Sequence, residues 1–390
     1  MQLARALGAC GCAAVLAFGS RARAEGGDTT ARVRSEIAAY QDSIAVGVLT
    51  PSIRGRAENP GAGWSFDGSY LVDVVSAASP DVVSTASRRW IEVRQAGSLG
   101  GRYKPGDFGF AANGLISSSP DYLSGVGNAQ LLVDLDEKNL LLAASYSYGH
   151  DVIGRAGTPL SFFSRKLDYH GAGLTVTRVL SREAVLSVVG DLLVERGDQS
   201  KPYRYIPLFS PAVAAAVPRG ASPDLVAASR LPAKPIEQLP LGRERYALSA
   251  RFAYRFAWST LRLEERGYAD SWGLVSSTTD GRWMFDVGER WILWPHLRMH
   301  VQSEVDFWQR AYASTGPNDI PVYRTGDREL GGLVSFGSGL GGRWAIGPSA
   351  EQDKWVLTAT ADGTYTSFAD AIFVRERFAL LGVLGVEATF

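Results

Sequence analysis

The end of the chain constrains it most. Counting back from Phe390, one face of the segment carries Phe378, Leu380, Leu384, Val386 and Ala388. The other carries Val383, Gly385, Glu387 and Thr389. Side chains flip face at every residue of a strand, so this period-two pattern builds one apolar face and one mixed face. The same alternation recurs upstream. Tyr246, Leu248, Ala250, Phe252, Tyr254 and Phe256 oppose Arg245, Ser249, Arg251 and Arg255. Leu297, Met299, Val301, Val305 and Phe307 oppose Arg298, His300, Gln302, Glu304, Asp306 and Arg310. Each run is about the 9–11 residues that a tilted strand needs to cross a bilayer, longer than the 5–6 of ordinary strands.

Fifteen segments read this way: 44–56, 64–75, 89–102, 106–118, 122–135, 139–149, 163–180, 184–196, 243–256, 258–270, 279–291, 296–312, 327–343, 353–366 and 378–390. Single-chain membrane barrels have even strand counts, so the expectation is an all-β, transmembrane antiparallel barrel of about 14 strands, with 16 as the alternative. A soluble sandwich is the competing fold. Aromatic placement favours the membrane: Trp258, Trp291, Trp294, Trp344 and Trp355 fall beside short turns, and Trp272, Trp308, Tyr312, Tyr365 and Phe368 near the opposite strand ends. Two such belts mark the two bilayer interfaces. Gly171-Ala172-Gly173 interrupts one alternation and predicts a bulge.

Residues 1–24 read as a signal peptide: Arg5, an apolar run from Leu7 to Phe18, and Ala22-Arg23-Ala24 as cleavage site. Leu7-Gly8-Ala9-Cys10 offers a weaker lipoprotein reading. Both cysteines, Cys10 and Cys12, lie in this segment, which excludes disulfides and cysteine chemistry downstream. Its removal leaves acids in excess by three, which is not the balance of a nucleic-acid binder. Residues 25–43 are expected as a short periplasmic segment, helical near Arg32–Tyr40, and 44–390 as the barrel. Asp136-Glu137-Lys138 and Ser181-Arg182-Glu183 predict tight turns on one side, with longer links near 150–162, 313–326 and 366–377 on the other. The long outer loop 197–242 carries eight prolines from Pro202 to Pro240, which bars a central strand.

Thirteen charged residues are expected to face the lumen: Arg245, Arg251, Arg255, Arg262, Glu264, Arg266, Arg282, Asp286, Arg290, Arg298, Glu304, Asp306 and Arg310. One reading is an anion-favouring channel or ligand site, using the fixed guanidinium fork. The weightier reading is a structural network, because both signs interleave and pair across strands. His296 and His300 have helical metal-pair spacing, but on a strand that spacing separates them by about 13 Å, which argues against a metal. His150 reads as an outer-loop residue and His170 as isolated. A serine hydrolase in the wall lacks a motif around any of the four histidines. Gly331-Gly332, Gly337, Gly339 and Gly341-Gly342 read as a strand needing curvature or close packing rather than a phosphate loop.

The run Asp73-Val74-Val75-Ser76-Ala77-Ala78-Ser79-Pro80-Asp81-Val82-Val83-Ser84 repeats a D-V-V-S theme and reads as a folded-back loop. It resembles domain of unknown function 3570, a family of exported bacterial proteins. Tyr268 to Ser276 (Y-A-D-S-W-G-L-V-S) and Val301 to Trp308 (V-Q-S-E-V-D-F-W) carry the same resemblance. The terminal aromatic on its alternating strand is similar to the closing-strand signal of outer-membrane barrels. Together these imply a bacterial outer-membrane barrel that contacts outer-membrane lipid and the barrel-assembly machinery, the latter through the strand ending at Phe390. No catalytic residue, cofactor or nucleic-acid partner is implied. The leading expectation is a pore or small-solute transporter, and the alternative a non-conducting scaffold or receptor.

Overall fold

A computed structural model describes residues 29–77, 90–155, 158–316, 318–347 and 354–390. The signal-peptide reading at 1–24 and the second D-V-V-S copy at Asp81 lie outside the described residues. Sixteen antiparallel strands close into one barrel. In chain order they are β1 (Thr30–Asp42), β2 (Val46–Asn59), β3 (Trp64–Ala77), β4 (Trp90–Tyr103), β5 (Phe108–Ser119), β6 (Tyr122–Leu135), β7 (Leu140–Ile153), β8 (Arg165–Val179), β9 (Ala184–Gly197), β11 (Gly242–Arg255), β12 (Ser259–Asp270), β13 (Val275–Val287), β14 (Trp291–Gln302), β16 (Leu333–Ile346), β17 (Trp355–Phe368) and β18 (Glu376–Thr389). Two short strands, β10 (Leu208–Phe209) and β15 (Tyr312–Ala313), pair in parallel outside the barrel. No described helix is long and apolar enough to cross a membrane.

The sixteenth barrel strand is β1, where a periplasmic segment with a helical turn was expected. β1 pairs with β18 from Arg32↔Thr389 to Asp42↔Ala379 and with β2 from Thr30↔Glu58 to Gln41↔Gly47. The charges of Arg32, Arg34 and Glu36 hid its alternation, because they occupy the inner face. Val33, Ile37 and Ala39 face outward beside Ala388, Leu384 and Gly382. Closure removes both sheet edges, the condition for a sheet to stand in lipid.

Directly opposed residues of an antiparallel pair share a face. One ring of neighbours runs Ala250, Glu265, Thr279, Met299, Phe336, Tyr365, Phe378 across β11 to β18. The adjacent ring runs Arg251, Glu264, Asp280, Arg298, Gly337, Thr364. The first face is the outer wall, studded with exposed Leu248, Leu263, Met299, Leu340 and Leu384. The second is the lumen. This sorting, with a closed barrel and a turn-to-loop asymmetry, makes the protein an integral outer-membrane barrel of the bacterial envelope.

The turns 60–63, 104–107, 136–139, 180–183, 256–258 and 288–290 share one end with the start of β1 and the end of β18. Asp136, Glu137 and Lys138 all take positive φ there, at 51°, 52° and 69°, making a three-residue hairpin loop held by Asn139 N–H to Asp136 O at 2.8 Å. Trp64, Trp258, Trp283, Trp291, Trp344 and Trp355 lie toward this end on the outer wall, and the Trp291 and Trp344 rings stack at 5.1 Å. The opposite belt differs from the expectation. Trp272, Tyr312 and Phe368 are 4%, 2% and 1% exposed, packed under the long loops rather than against lipid. Trp294 faces the lumen opposite Gly341. The bulge expected at Gly171–Gly173 is absent: β8 keeps unbroken register with β7 and β9, and these glycines stand beside the Ser147 and Ser145 hydroxyls. Asp73, expected in a folded-back loop, is on β3, where it accepts hydrogen bonds from Thr50 Oγ1 at 2.6 Å and Arg94 Nε at 2.8 Å.

Candidate functional site: the lumen wall and its cap

Of the thirteen residues expected in the lumen, nine lie on inward strand faces: Arg245, Arg251 and Arg255 on β11, Arg262, Glu264 and Arg266 on β12, Arg282 and Asp286 on β13, and Arg298 on β14. The other four do not. Arg290 sits in the β13–β14 turn. Glu304, Asp306 and Arg310 follow the end of β14 at Gln302 and belong to the loop 303–332. Alternation continued by chance into that loop, but the backbone turns away to pack on its neighbours. Asp306 N–H donates to Trp272 O at 2.8 Å, and Arg310 pairs with Asp370 at 2.6 Å.

Pairing is extensive. Arg245 meets Glu195 at 2.8 Å, Arg251 meets Glu264 at 3.1 Å, and Arg255 meets Asp286 at 2.5 Å. Arg266 approaches Asp191 at 3.9 Å. The first two link neighbouring strands, and the last two reach across an intervening strand, all on the lumen face. Glu195, Asp191 and Asp280 went unnoticed in the sequence because their acid-bearing strands are dominated by apolar neighbours or threonines.

His296 is the most organised side chain. Its Nδ1 lies 2.6 Å from Asp362 Oδ1 and its Nε2 lies 2.8 Å from Asp280 Oδ2. The ring sits between two carboxylates and ties β13, β14 and β17 together. His300 faces Thr278 at 2.7 Å instead, and the two histidines share no ligand. Among the described residues no group of three acids or histidines is arranged for a metal. The glycines of β16 explain the fit. Gly337, Gly339 and Gly341 take successive lumen positions, opposite Arg298, His296 and Trp294. A Cβ at Gly339 would strike Asp362 Oδ1, and one at Gly341 would strike the Trp294 ring. The glycine run is therefore a trough that receives side chains from the flanking strands, the close-packing role expected for it.

The loop between β9 and β11 spans residues 198–241. It holds β10 and two short helices, α1 (Pro211–Ala216) and α2 (Pro223–Ser229). It is anchored at distant points of the rim. Tyr203 donates to Asp121 in the β5–β6 turn, and Arg155 Nη2 reaches Pro202 O at 3.4 Å. On the far side Gly220 N–H donates to Ala371 O at 3.0 Å and Arg219 to Ser367 Oγ at 3.1 Å. These anchors are separated by the β7–β16 arc, so the loop bridges the mouth as a cap. Ile206, Leu208 and Tyr312 form one cap core, and Phe209, Val217, Ala221 and Val226 another. Beside the first, Arg204 Nη1 lies 3.1 Å from Glu237 and 3.0 Å from Asp327, and Thr325 Oγ1 donates to Glu237 at 2.7 Å. Burial alone would raise the Asp327 carboxyl, but Arg204 beside it holds it below the usual carboxylate range. Burial pushes the Tyr312 hydroxyl up to about 12, where it donates to Phe307 O and accepts from Thr325 N–H.

His150 and His170 are on strands, not in a loop or isolated. The alternation read from sequence stopped at Tyr148, but β7 continues to Ile153. Both face the outer wall near the capped end. His150 Nδ1 lies 2.8 Å from Asp168 Oδ1, which also accepts from Tyr148, and His170 Nδ1 lies 2.7 Å from the Tyr146 hydroxyl. Neither histidine is hydrogen-bonded to a serine among the described residues. A further wall polar group is Glu265, which accepts from Ser277 Oγ and Thr279 Oγ1 at 2.5 Å each.

The family described as "Protein of unknown function (DUF3570)" matches residues 78–356, and the chain belongs to it. No curated protein matches. Among solved structures, a bacterial polysaccharide outer membrane secretin is 8% identical, with 93% of this chain and 98% of that one covered and a TM-score of 0.49. CdiB from Acinetobacter baumannii is 11% identical over 92% of this chain, which spans 60% of that protein, at 0.48. OccK5 (OpdH) from Pseudomonas aeruginosa is 11% identical over 94% and 100%, at 0.42.

Proposed function

We propose that this barrel is a pore or transporter for small polar solutes, with a lumen lined by Arg, Asp and Glu and a mouth narrowed by the 198–241 cap. The observation that carries the reading is the closure of sixteen strands around a charged inner face. Barrels of 8 strands fill with their own side chains, whereas 16 strands enclose enough width for an aqueous channel. Water in that channel is what makes unpaired or loosely paired inward charges tolerable. The terminal strand β18 and Phe390 supply the handle by which assembly machinery would insert the barrel.

A second reading has its own support. Phe209 and Leu208 are 0% exposed and Ile206 is 1% exposed, so the cap is packed like a domain core. A cap of that quality suits a non-conducting barrel that presents a rigid outer surface to a partner. Single-channel recording in planar bilayers separates the two. Discrete conductance steps from the intact protein support the pore. Silence from the intact protein and from a variant lacking 200–240 rules it out.

A further inference from the structure

We infer that the lumen wall at β12–β14 is a binding site for a compact oxyanion group, a carboxylate or phosphate, held between Arg262 and Arg282. The inference rests on the pore reading only for how the ligand arrives. Arg262 and Arg282 are directly opposed on adjacent strands, and Arg282 is directly opposed to His296. Like charges in that relation repel. The network that satisfies the rest of this wall does not reach them. Arg262 has no carboxylate partner among the described residues and is exposed to the lumen. Glu264, the acid on the same strand face, is held by Arg251 at 3.1 Å. Asp286 is held by Arg255. Asp280 is shared three ways: its Oδ2 bonds His296 at 2.8 Å and lies 3.5 Å from Arg298, while Arg282 Nε is only 3.8 Å from its Oδ1.

Asp280 is thus shared by Arg298, Arg282 and the His296 ring, and Arg262 is left with no carboxylate among the described residues. Two arginines opposed across one strand spacing bring to one stretch of wall forked donors of the kind that match an anion with two free oxygens. A halide offers a single centre and fits the forks less well.

The test is calorimetric titration of the full-length barrel in detergent with inorganic phosphate and, separately, acetate, in chloride buffer. Saturable binding of at least one oxyanion is expected. It should weaken roughly tenfold or more in Arg262→Ala and in Arg282→Ala, as expected for loss of a charged hydrogen-bonding group. Arg94→Ala, whose guanidinium is paired with Asp73 on the β3–β4 wall, should leave it unchanged. Arg262→Lys keeps the charge but loses the fork, and should bind between the two. Heat-modifiable migration and circular dichroism establish that each variant is folded. Absence of saturable binding by the wild type overturns the inference, as does equal binding by the alanine variants. Binding with this mutational pattern in a barrel that shows no conductance keeps the site and removes the pore.

Discussion

Arg204→Ala should loosen the cap without unfolding the barrel. Arg204 is the cation for two acids, Glu237 at 3.1 Å and Asp327 at 3.0 Å, and the Glu237 side chain is 0% exposed. Removing one partner of a buried ion pair leaves an uncompensated charge and costs about 3–5 kcal/mol. Glu237 keeps Thr325 Oγ1 at 2.7 Å and Lys201 N–H at 2.9 Å, which places the cost at the lower end, about 3 kcal/mol. That energy falls on the cap, because none of these groups belongs to a barrel strand. Hydrogen exchange resolved by peptide is the assay. Amides of 204–237 should exchange on the order of a hundredfold faster, and those of β1–β9 at the native rate. Glu237→Gln in the same background should recover much of the loss, since a neutral amide needs no counter-ion. Native exchange in 204–237 of the single variant would refute the claim that this ion pair holds the cap.

Three further outcomes follow from the same geometry. Gly339→Val should overpack the trough against Asp362 and His296, costing about 1–3 kcal/mol, read as a lower midpoint of denaturant unfolding in lipid. Asp327 has its acidity strengthened by Arg204, so its stabilising contribution is present above the unfolded carboxyl value near 4 and lost as pH falls below it. Protease cutting within 198–241 should therefore rise on acidification below about pH 4, with the barrel intact, and a cap that resists at low pH would contradict this. Glu265 faces lipid, so Glu265→Leu should stabilise the barrel in bilayers by roughly 1 kcal/mol, although it loses the Ser277 and Thr279 bonds. A destabilised variant would mean that this wall is not lipid-exposed.

Much of the barrel was legible because lipid enforces alternation. Strands such as β11 and β18, with aromatic or leucine outer faces, declared themselves. β1 did not, because its outer face dilutes Val33 and Ile37 with Ser35, Ala39 and Gln41, while its charges are adjacent to the signal segment. The ends of β14 and β7 were misjudged in opposite senses. Beyond Gln302 the alternation persisted without a partner strand, and at His150 it broke because polar groups occupy the outer wall near the rim. In the structure the strand arginines from Arg245 to Arg298 share the inner face. Their pairing depends on register between strands, which no local pattern encodes. The same limit hid the Asp280–His296–Asp362 bridge, whose members lie on three strands.

A charged lumen reached by water should lie on the opposite side of each strand from a lipid-facing wall. Both cysteines fall within the first 12 residues, so single cysteines placed in the barrel can be read cleanly. In proteoliposomes a charged, water-soluble thiol reagent should modify Thr360→Cys, on the lumen face of β17 opposite Gly341, and spare Leu340→Cys, 70% exposed on the outer wall of β16. Modification of the second position in place of the first, or of neither, would contradict it.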